Sequence, residues 1–479
     1  MLWIGLLGIP LVGALVVLLL SDRAAKLGAA VVAALEVAAF AALLGGVAPT
    51  LNLAWIPAWG VRLHFTADGL ALFLLGLTAV MTLVAICASN VQYGRAYFGW
   101  ILFMEFASMG LFGAVDLFLF YIFWEVVLIP IFFLLTGWSG AKGRAAGLKW
   151  LIMNLFGSLF MLIGVVAVAV IHNQTTGSLS FEISQLTNLP VSSLAAPWLF
   201  GVFALAFAIK APLWPFHGWM PDAYGEAPAP VTALLAGVLS KAGVFGFLRV
   251  LLPILGAELH AYQTGLMIWV AVSLVYGALM ALRQTDMKMV SAYASLSHLS
   301  MIALGIFSLT AAGILGATFL MVAHGLMVGS LFLILGVVEE RTGSREFTGL
   351  MGLNQGAPRL ATYFLFFALA TLGLPGLPGF AGEYMIMQGL VVHEVGFAVV
   401  AGIVLIVAAW YMLRLFQGIM QGRPDHPAVV DMNAGQVAWL VPLAILVAVI
   451  GVWPAGITGH AVPSLYHAVH FAVAQGGIR

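Results

Sequence analysis

The sequence predicts an all-α polytopic membrane protein with about 14 transmembrane helices. Hydrophobic residues make up 63% of its 479 residues and charged residues only 8%, whereas about a quarter of a typical soluble protein is charged. The apolar residues also gather into fourteen runs, each close to the roughly 20 residues that cross a bilayer as a helix. The mean hydropathy of +1.11 agrees with this class.

The fourteen runs cover almost the whole chain. They lie at about 2–20, 27–47, 67–89, 97–115, 117–137, 148–171, 198–216, 229–252, 264–282, 289–309, 313–337, 359–392, 395–418 and 436–456. The longest connections, 48–66 and 172–197, are too short for a separate soluble domain. A terminal stretch at 463–472 is expected to lie along the membrane interface.

The composition also limits the chemistry that this chain can carry. A formal net charge of zero argues against a nucleic-acid partner. The single cysteine, Cys87, excludes an internal disulfide and an iron–sulfur cluster held by this chain alone, since such clusters usually take four thiolates. The sequence has no metal-ligand, nucleotide-binding or nucleophile motif, so no cofactor or metal site is predicted in this chain.

The basic residues predict the orientation of the chain, because Lys and Arg collect in short cytoplasmic loops. The loops after odd-numbered runs hold thirteen of the 18 Lys and Arg, and the opposite side holds Arg62, Arg249 and Arg479. This asymmetry places both termini on the non-cytoplasmic side. The two remaining basic residues, Lys210 and Lys241, fall inside apolar runs.

Several titratable residues fall near the middle of their runs. A charge at the bilayer centre costs about 2.5–3.5 kcal/mol, so one that is kept there suggests a function. At 1.5 Å per residue, seven groups lie at similar depth. They are Glu105, Glu125, Lys210, Lys241, His298, His324 and Glu383. We interpret them as a polar row parallel to the membrane plane, suited to a proton relay.

Two runs are interrupted next to these charges. Prolines and glycines break the seventh run after Lys210 and the twelfth run before Glu383. His217 lies in the first break and is a further candidate for the relay. Breaks five runs apart are typical of inverted repeats. We therefore predict repeats over runs 4–8 (97–252) and 9–13 (264–418). Residues 1–96 would form three preceding helices, and residues 436–479 the last helix and a tail.

A buried lysine beside a carboxylate can be switched electrostatically. At 4 Å and an effective dielectric of about 20, a Glu125–Lys210 pair is worth about 4 kcal/mol. This exceeds the roughly 2.3 kcal/mol needed to move one charge through 100 mV. Opening the pair would drive the Lys210 proton to Lys241, and onward through His298 and His324 to Glu383.

Structural roles compete with this interpretation at each position. Any one buried Glu or Lys could be a static ion pair, and the histidines could be packing residues bonded to carbonyls. Glu105 could simply pair with a buried base, and Glu36 has no partner that the sequence identifies. Asp68 and Asp116 fit helix caps at least as well, and 283–288 is expected to be a solvated turn.

Long motifs resemble the antiporter-like subunits of respiratory complex I. They are Phe123-Trp-Glu125, Phe207-Ala-Ile-Lys210-Ala-Pro-Leu-Trp-Pro-Phe-His217-Gly-Trp-Met-Pro-Asp-Ala-Tyr224, Glu226-Ala-Pro-Ala-Pro-Val-Thr232, Leu239-Ser-Lys241-Ala-Gly243 and Ala292-Tyr-Ala-Ser-Leu-Ser-His298. The resemblance covers about residues 60–420. It implies fourteen helices with two inverted five-helix repeats, Glu125–Lys210 as the modulating ion pair, and Lys241 as the central lysine. It also makes His298 and His324 the link to the last site, and Glu105 a family glutamate of the fourth span. Glu383 resembles the family member that carries glutamate rather than lysine in span twelve.

The resemblance implies a proton-translocating subunit of an NADH-quinone oxidoreductase, an enzyme of the translocase class. NADH, FMN, iron–sulfur clusters and quinone would then belong to partner subunits, and membrane-arm neighbours would lie on both sides. A bacterial inner membrane is the expected location. The alternatives are a subunit of a multisubunit Na⁺/H⁺ antiporter, the equivalent subunit of a ferredoxin-fed or hydrogenase-linked complex, and a purely structural scaffold.

Overall fold

A computed structural model describes residues 2–44, 49–187, 189–423 and 429–462 of the chain. Most of these residues form α-helices, of which all but two have at least 14 residues. They are α1 (Leu2–Leu19), α2 (Asp22–Leu43), α3 (Leu72–Ala88), α4 (Gly94–Gly113), α5 (Leu117–Gly137), α6 (Ala141–Thr176), α7 (Ala196–Lys210), α8 (Met220–Glu226), α9 (Ala229–Ile254), α10 (Gly256–Ala261), α11 (Gln263–Arg283), α12 (Met287–Phe307), α13 (Ala311–Thr342), α14 (Pro358–Thr371), α15 (Pro378–His393), α16 (Val395–Met420) and α17 (Ala434–Val452). The predicted interfacial stretch at 463–472 lies outside the described residues.

The helices follow the apolar runs of the sequence. Every predicted run overlaps at least one helix, and eleven helical segments in the described part are long and apolar enough to cross a membrane. The other three runs give shorter helices: α3, α7, and the pair α14 and α15. The seventh run is interrupted after Lys210, where prolines follow, and the twelfth run is interrupted between Thr371 and Pro378, where Gly373 and Gly376 have positive φ.

A β-hairpin departs from the all-α prediction. Strands β1 (Thr50–Ile56) and β2 (Val61–Thr66) pair antiparallel, and Gly60 turns the chain between them with a φ of +71°. The hairpin is fixed to the bundle at Arg62, whose backbone N–H donates to Asp116 at 3.0 Å. Seven residues span only about 23 Å as a strand, so the connection 48–66 is long enough for a hairpin but not for a domain.

Burial divides the helices into two groups. Helices α9, α12 and α13 are buried almost throughout, whereas α1, α2, α16 and α17 expose one apolar side. The mid-run charges of the sequence lie largely on or against the buried group. The fold therefore surrounds them with protein and leaves lipid contact to the outer helices.

Two ends of the bundle are distinguished by their residues. We call the end that carries Lys26, Lys149, Lys288 and Arg345 the basic face, and the opposite end, with β1 and β2, the hairpin face. At the hairpin face, Asp116 caps α5 by accepting from Leu119 N–H at 2.9 Å. Capping is the role that the sequence left open for this residue.

Candidate functional site

Lys210 ends α7 in an aromatic cage. Its Nζ lies 5.1 Å from the centroid of the Trp124 ring and 5.6 Å from that of Trp150. The side chain is buried, and Nζ has no hydrogen-bond partner among the described residues. Glu125 is the charged group that acts on Lys210, yet its Oε1 also lacks a partner. The two charges are therefore neighbours without being joined by a hydrogen bond.

Lys241 lies between two π-helical segments of α9. These segments are Leu235–Leu239 and Phe247–Leu251. Lys241 is fully buried, and its Nζ donates to the carbonyl oxygen of Ala236 and, at 3.3 Å, to Ser240 Oγ. Short π-helical insertions occur often at functional sites, because they reposition side chains and backbone carbonyls locally.

Two glycines bring α9 close to its neighbours on both sides of Lys241. A Cβ added to Gly243 would lie 2.3 Å from the backbone nitrogen of Ala211, the residue after Lys210. A Cβ added to Gly237 would lie 3.1 Å from the carbonyl oxygen of Gly325, the residue after His324. Helix α9 thus places Lys241 between the end of α7 and the middle of α13.

His298 on α12 is held by two carbonyl groups. Its Nδ1 lies 2.9 Å from Ala294 O, and its Nε2 lies 3.1 Å from Thr371 O. A carbonyl oxygen only accepts, so a ring nitrogen that bonds to either carbonyl carries the proton, and a doubly protonated ring would donate to both. The Oε1 of Glu383 lies 3.4 Å from Nε2 and supplies the opposite charge.

The break before α15 makes room for Glu383. Gly373 has a φ of +80°, and a Cβ there would lie 2.3 Å from Glu383 Oε2. A cavity of about 10 Å³ adjoins His298, Glu383 and Tyr411. This volume is at the lower limit for one water molecule.

His324, on α13, lies between the Lys241 site and the His298–Glu383 site. Its ring lies 5.2 Å from that of His298, centroid to centroid, with 26° between the planes. Both of its ring nitrogens are buried without a partner in the described part of the chain, and Lys241 acts on it electrostatically. The order is therefore Glu125, Lys210, Lys241, His324, His298, Glu383. The sequence interpretation placed His298 before His324, and the helix packing reverses them.

Two of the predicted site residues lie outside this row. His217 lies in the break after α7, with its ring 5.0 Å from that of Tyr276. It is half-buried, and Lys149 is its charged neighbour, towards the basic face. Glu105 is fully buried on α4, where its charged neighbour is Glu36 rather than a base.

A charged network at the basic face was missed. Lys288, expected in a solvated turn, is buried and contacts Glu339 at 2.6 Å. Arg345 bridges Glu226 and Asp286, each at 3.3 Å. Partial burial raises the pKa of Asp286, although Arg345 and two backbone N–H groups oppose the shift. No local pattern signals these pairs, because their members lie on segments far apart in sequence.

Most of these residues also line an opening at the basic face. A cavity of about 890 Å³, which we call the vestibule, is lined by Lys26, Ser89, Glu226, Lys288 and Glu339, among others. It reaches the start of α9, at Pro228 and Pro230. Lys241 lies twelve residues further along that helix, about 18 Å at 1.5 Å per residue.

A family model, a relative of known sequence and a solved structure all relate this chain to NADH-quinone oxidoreductases. Residues 114–408 match the family described as NADH:quinone oxidoreductase/Mrp antiporter, transmembrane. NADH-quinone oxidoreductase subunit M of Rickettsia felis is 35% identical over 412 residues, which are 84% of this chain and 82% of that protein. A chain of respiratory complex I from Thermus thermophilus with bound NADH superimposes with a TM-score of 0.89, at 33% identity and full coverage of both chains. A chain of the Mrp complex from Dietzia sp. gives a TM-score of 0.88 at 23% identity, covering 99% of both chains, and so shows a shared fold alone.

Proposed function

This chain belongs to the NADH:quinone oxidoreductase/Mrp antiporter transmembrane family, and from that premise we propose that it is subunit M of an NADH-quinone oxidoreductase. In this role it is a proton-translocating membrane subunit. Electron transfer from NADH to quinone takes place in partner subunits, and this chain converts the resulting signal into proton movement. The subunit M relatives and the match to a complex I chain over its full length support this assignment.

The proton path is the row from Glu125 to Glu383. The observation that carries this proposal is that five of the six titratable groups are buried and that close helix contacts join the end of α7 to α9, α9 to α13, and α13 to α12 and α15. Two of them, Lys210 and His324, have nitrogens without hydrogen-bond partners in the described structure. Such nitrogens cost free energy when charged in a buried site, so their protons are the easiest to shift.

The Glu125–Lys210 pair acts as the switch. A signal from a neighbouring subunit that draws Glu125 away from Lys210 weakens the charged form of the lysine. At an effective dielectric of about 20, the change is at most about 4 kcal/mol for a contact pair. The proton then passes to Lys241, His324 and the His298–Glu383 pair, and closure of the first pair reloads Lys210.

We extend the proposal to the architecture. The chain has fourteen spans, with two inverted repeats at 97–252 and 264–418, three helices before them within 1–96, and the last helix and tail at 436–479. The two interrupted runs, at Lys210 and before Glu383, occupy corresponding places in these repeats and support the assignment. The basic face lies in the cytoplasm, with both termini on the other side, since Lys and Arg prefer the cytoplasmic side.

We also propose which subunits adjoin this chain and where the cofactors bind. Other membrane-arm subunits adjoin both ends of the row, because a relay parallel to the membrane needs a donor of the signal and an acceptor. FMN, iron–sulfur clusters, NADH and quinone are bound by partner subunits. The complex lies in a bacterial inner membrane, and the subunit has no cofactor of its own.

The rival assignments can be separated by purification. Affinity purification of the tagged chain from its native membranes should yield a complex that contains flavin and reduces quinone with NADH. Antiport of sodium and protons that is indifferent to electron donors would favour the Mrp-type alternative. Activity with ferredoxin or hydrogen in place of NADH would favour a ferredoxin-fed or hydrogenase-linked complex. Either result would contradict the assignment.

A further inference from the structure

Two buried carboxyl groups lie away from the row, on helices that the relay does not use. Glu36 on α2 and Glu105 on α4 are fully shielded from solvent. None of their four carboxyl oxygens has a hydrogen-bond partner among the described residues. Helices α2 and α4 pack against each other, and Glu36 is the charged group that acts on Glu105. Buried polar atoms without partners are rare in proteins and need an explanation.

Among the described residues, no basic side chain is paired with Glu36 or Glu105. Helices α1 and α3, which pack against α2 and α4, carry no charged side chain. Lys26 on α2 is ten residues, or about 15 Å, from Glu36, and its Nζ donates to the carbonyl oxygens of Cys87 and Ser89 at 2.9 and 2.7 Å. Two bare carboxylates here would repel each other, at a burial cost of about 3 kcal/mol each. At least one of them therefore carries a proton.

Two other charged residues on helices that contact α4 have interactions away from Glu36 and Glu105. Helix α5 carries Glu125, which acts on Lys210. Helix α9 approaches the far part of α4 and carries Lys241, whose Nζ donates within its own helix. Both residues belong to the row, so Glu36 and Glu105 form a separate acidic pair.

A hydroxyl track leads towards this pair from the basic face. Ser89 Oγ and Tyr97 Oη lie 3.1 Å apart and fix the register of the antiparallel helices α3 and α4. Two helical turns further on, Thr82 on α3 comes level with Met104 and Glu105 on α4. The Thr82 hydroxyl is buried and has no partner in the described structure.

The track begins in the vestibule. Lys26 and Ser89 line this cavity of about 890 Å³, and the Tyr97 side chain above them is fully buried. Tyr97 and Thr82 lie between Ser89 and Glu105 along the helix axis, with about 10 Å between the levels of Ser89 and Thr82. Ordered hydroxyls and carboxyls of this kind can both donate and accept, which proton transfer requires.

We propose that Glu36 and Glu105 form a second buried proton-binding site, in which the carboxyl pair holds a proton exchanged with the basic face through Thr82, Tyr97 and Ser89. The site goes beyond the relay and does not depend on it. Its ligand is a proton rather than a metal cation. It gives the subunit a place to hold a proton outside the row.

Infrared spectroscopy of the purified complex in lipid tests this site directly. A protonated carboxyl gives a C=O stretching band that shifts to lower frequency in D₂O. We expect such a band in the wild type, its loss or shift in both Glu36→Gln and Glu105→Gln, and no change in Glu346→Gln, an exposed control. A carboxyl band identical to wild type in the two buried variants overturns the proposal. So does a spectrum that responds to sodium but not to D₂O.

The route is tested with a variant that keeps the packing. Tyr97→Phe removes only the hydroxyl, so the band of the pair should remain while its exchange in D₂O becomes slower. Exchange as fast as in the wild type overturns the hydroxyl track. Because these readouts follow the carboxyl band and not proton pumping, they remain informative even if the relay proposal fails.

Discussion

At the Glu125 end of the row, Lys210 Nζ lies between two indole rings without a hydrogen bond, whereas at the Glu383 end both nitrogens of His298 face carbonyl oxygens. Glu383 Oε1 also lies 3.4 Å from His298 Nε2, whereas Glu125 acts on Lys210 without a hydrogen bond. A buried charge without fixed partners is easily shifted, and a bonded one is not. We infer that the Lys210 end receives the signal and the Glu383 end retains the proton.

The largest effect on pumping should come from a substitution at the Glu383 end of the row, where His298 contacts two carbonyl groups. Glu383→Gln removes the charge opposite His298, and loss of one member of a buried pair costs about 3–5 kcal/mol. NADH-driven acidification by the assembled complex in vesicles should fall by at least about tenfold. Glu346→Gln, at an exposed glutamate, serves as the matched control. Wild-type pumping in Glu383→Gln would show that the pair is only structural.

An added side-chain atom next to Glu383 should have a smaller effect on pumping. Gly373→Ala places a Cβ against the Glu383 carboxylate and strains a backbone of positive φ by about 1–2 kcal/mol. Pumping should fall by roughly fivefold while the complex still assembles. Gly349→Ala is the control, since nothing lies within 4 Å of a Cβ at that position. If both variants pump equally, the break does not position Glu383.

The smallest effect on pumping is expected at the Glu125 end of the row. Glu125→Gln weakens the switch by removing the charge that acts on Lys210, but it breaks no hydrogen bond between the two residues and leaves the bonded contacts of the row in place. The rate should drop by about threefold, or about 0.7 kcal/mol. Glu258→Gln, near the hairpin face and away from the row, is the comparison. A loss as large as that of Glu383→Gln would contradict the contrast between the two ends.

The hydrophobic pattern predicted most of the fold because each long apolar run has only one way to satisfy its backbone in a membrane, as a helix. Breaks after Lys210 and before Glu383 were equally readable from proline and glycine. The hairpin was missed, since β1 is mostly exposed and shows no alternation of buried and exposed residues. Its register depends on contacts such as that of Arg62 with Asp116.

The site was predictable only in part. Charges in the middle of apolar runs stand out in a sequence, and the structure places His298 beside His324 and Glu383, with Lys241 acting on His324 electrostatically. Their order does not follow from the sequence, because it depends on which helices meet and on close approaches at glycines. The π-helical segments around Lys241 and the Lys288–Glu339 pair have no local signal either. Glu36 and Glu105 looked unrelated, being 69 positions apart in the chain.

Lys241 stands between the two ends, and the central claim is that protons pass through it. The most direct measurement is NADH-driven acidification by vesicles that hold the assembled Lys241→Ala complex, beside Lys142→Ala at an exposed lysine. The relay predicts that pumping through this subunit is lost in Lys241→Ala and kept in Lys142→Ala. Wild-type acidification in an assembled Lys241→Ala complex would contradict it.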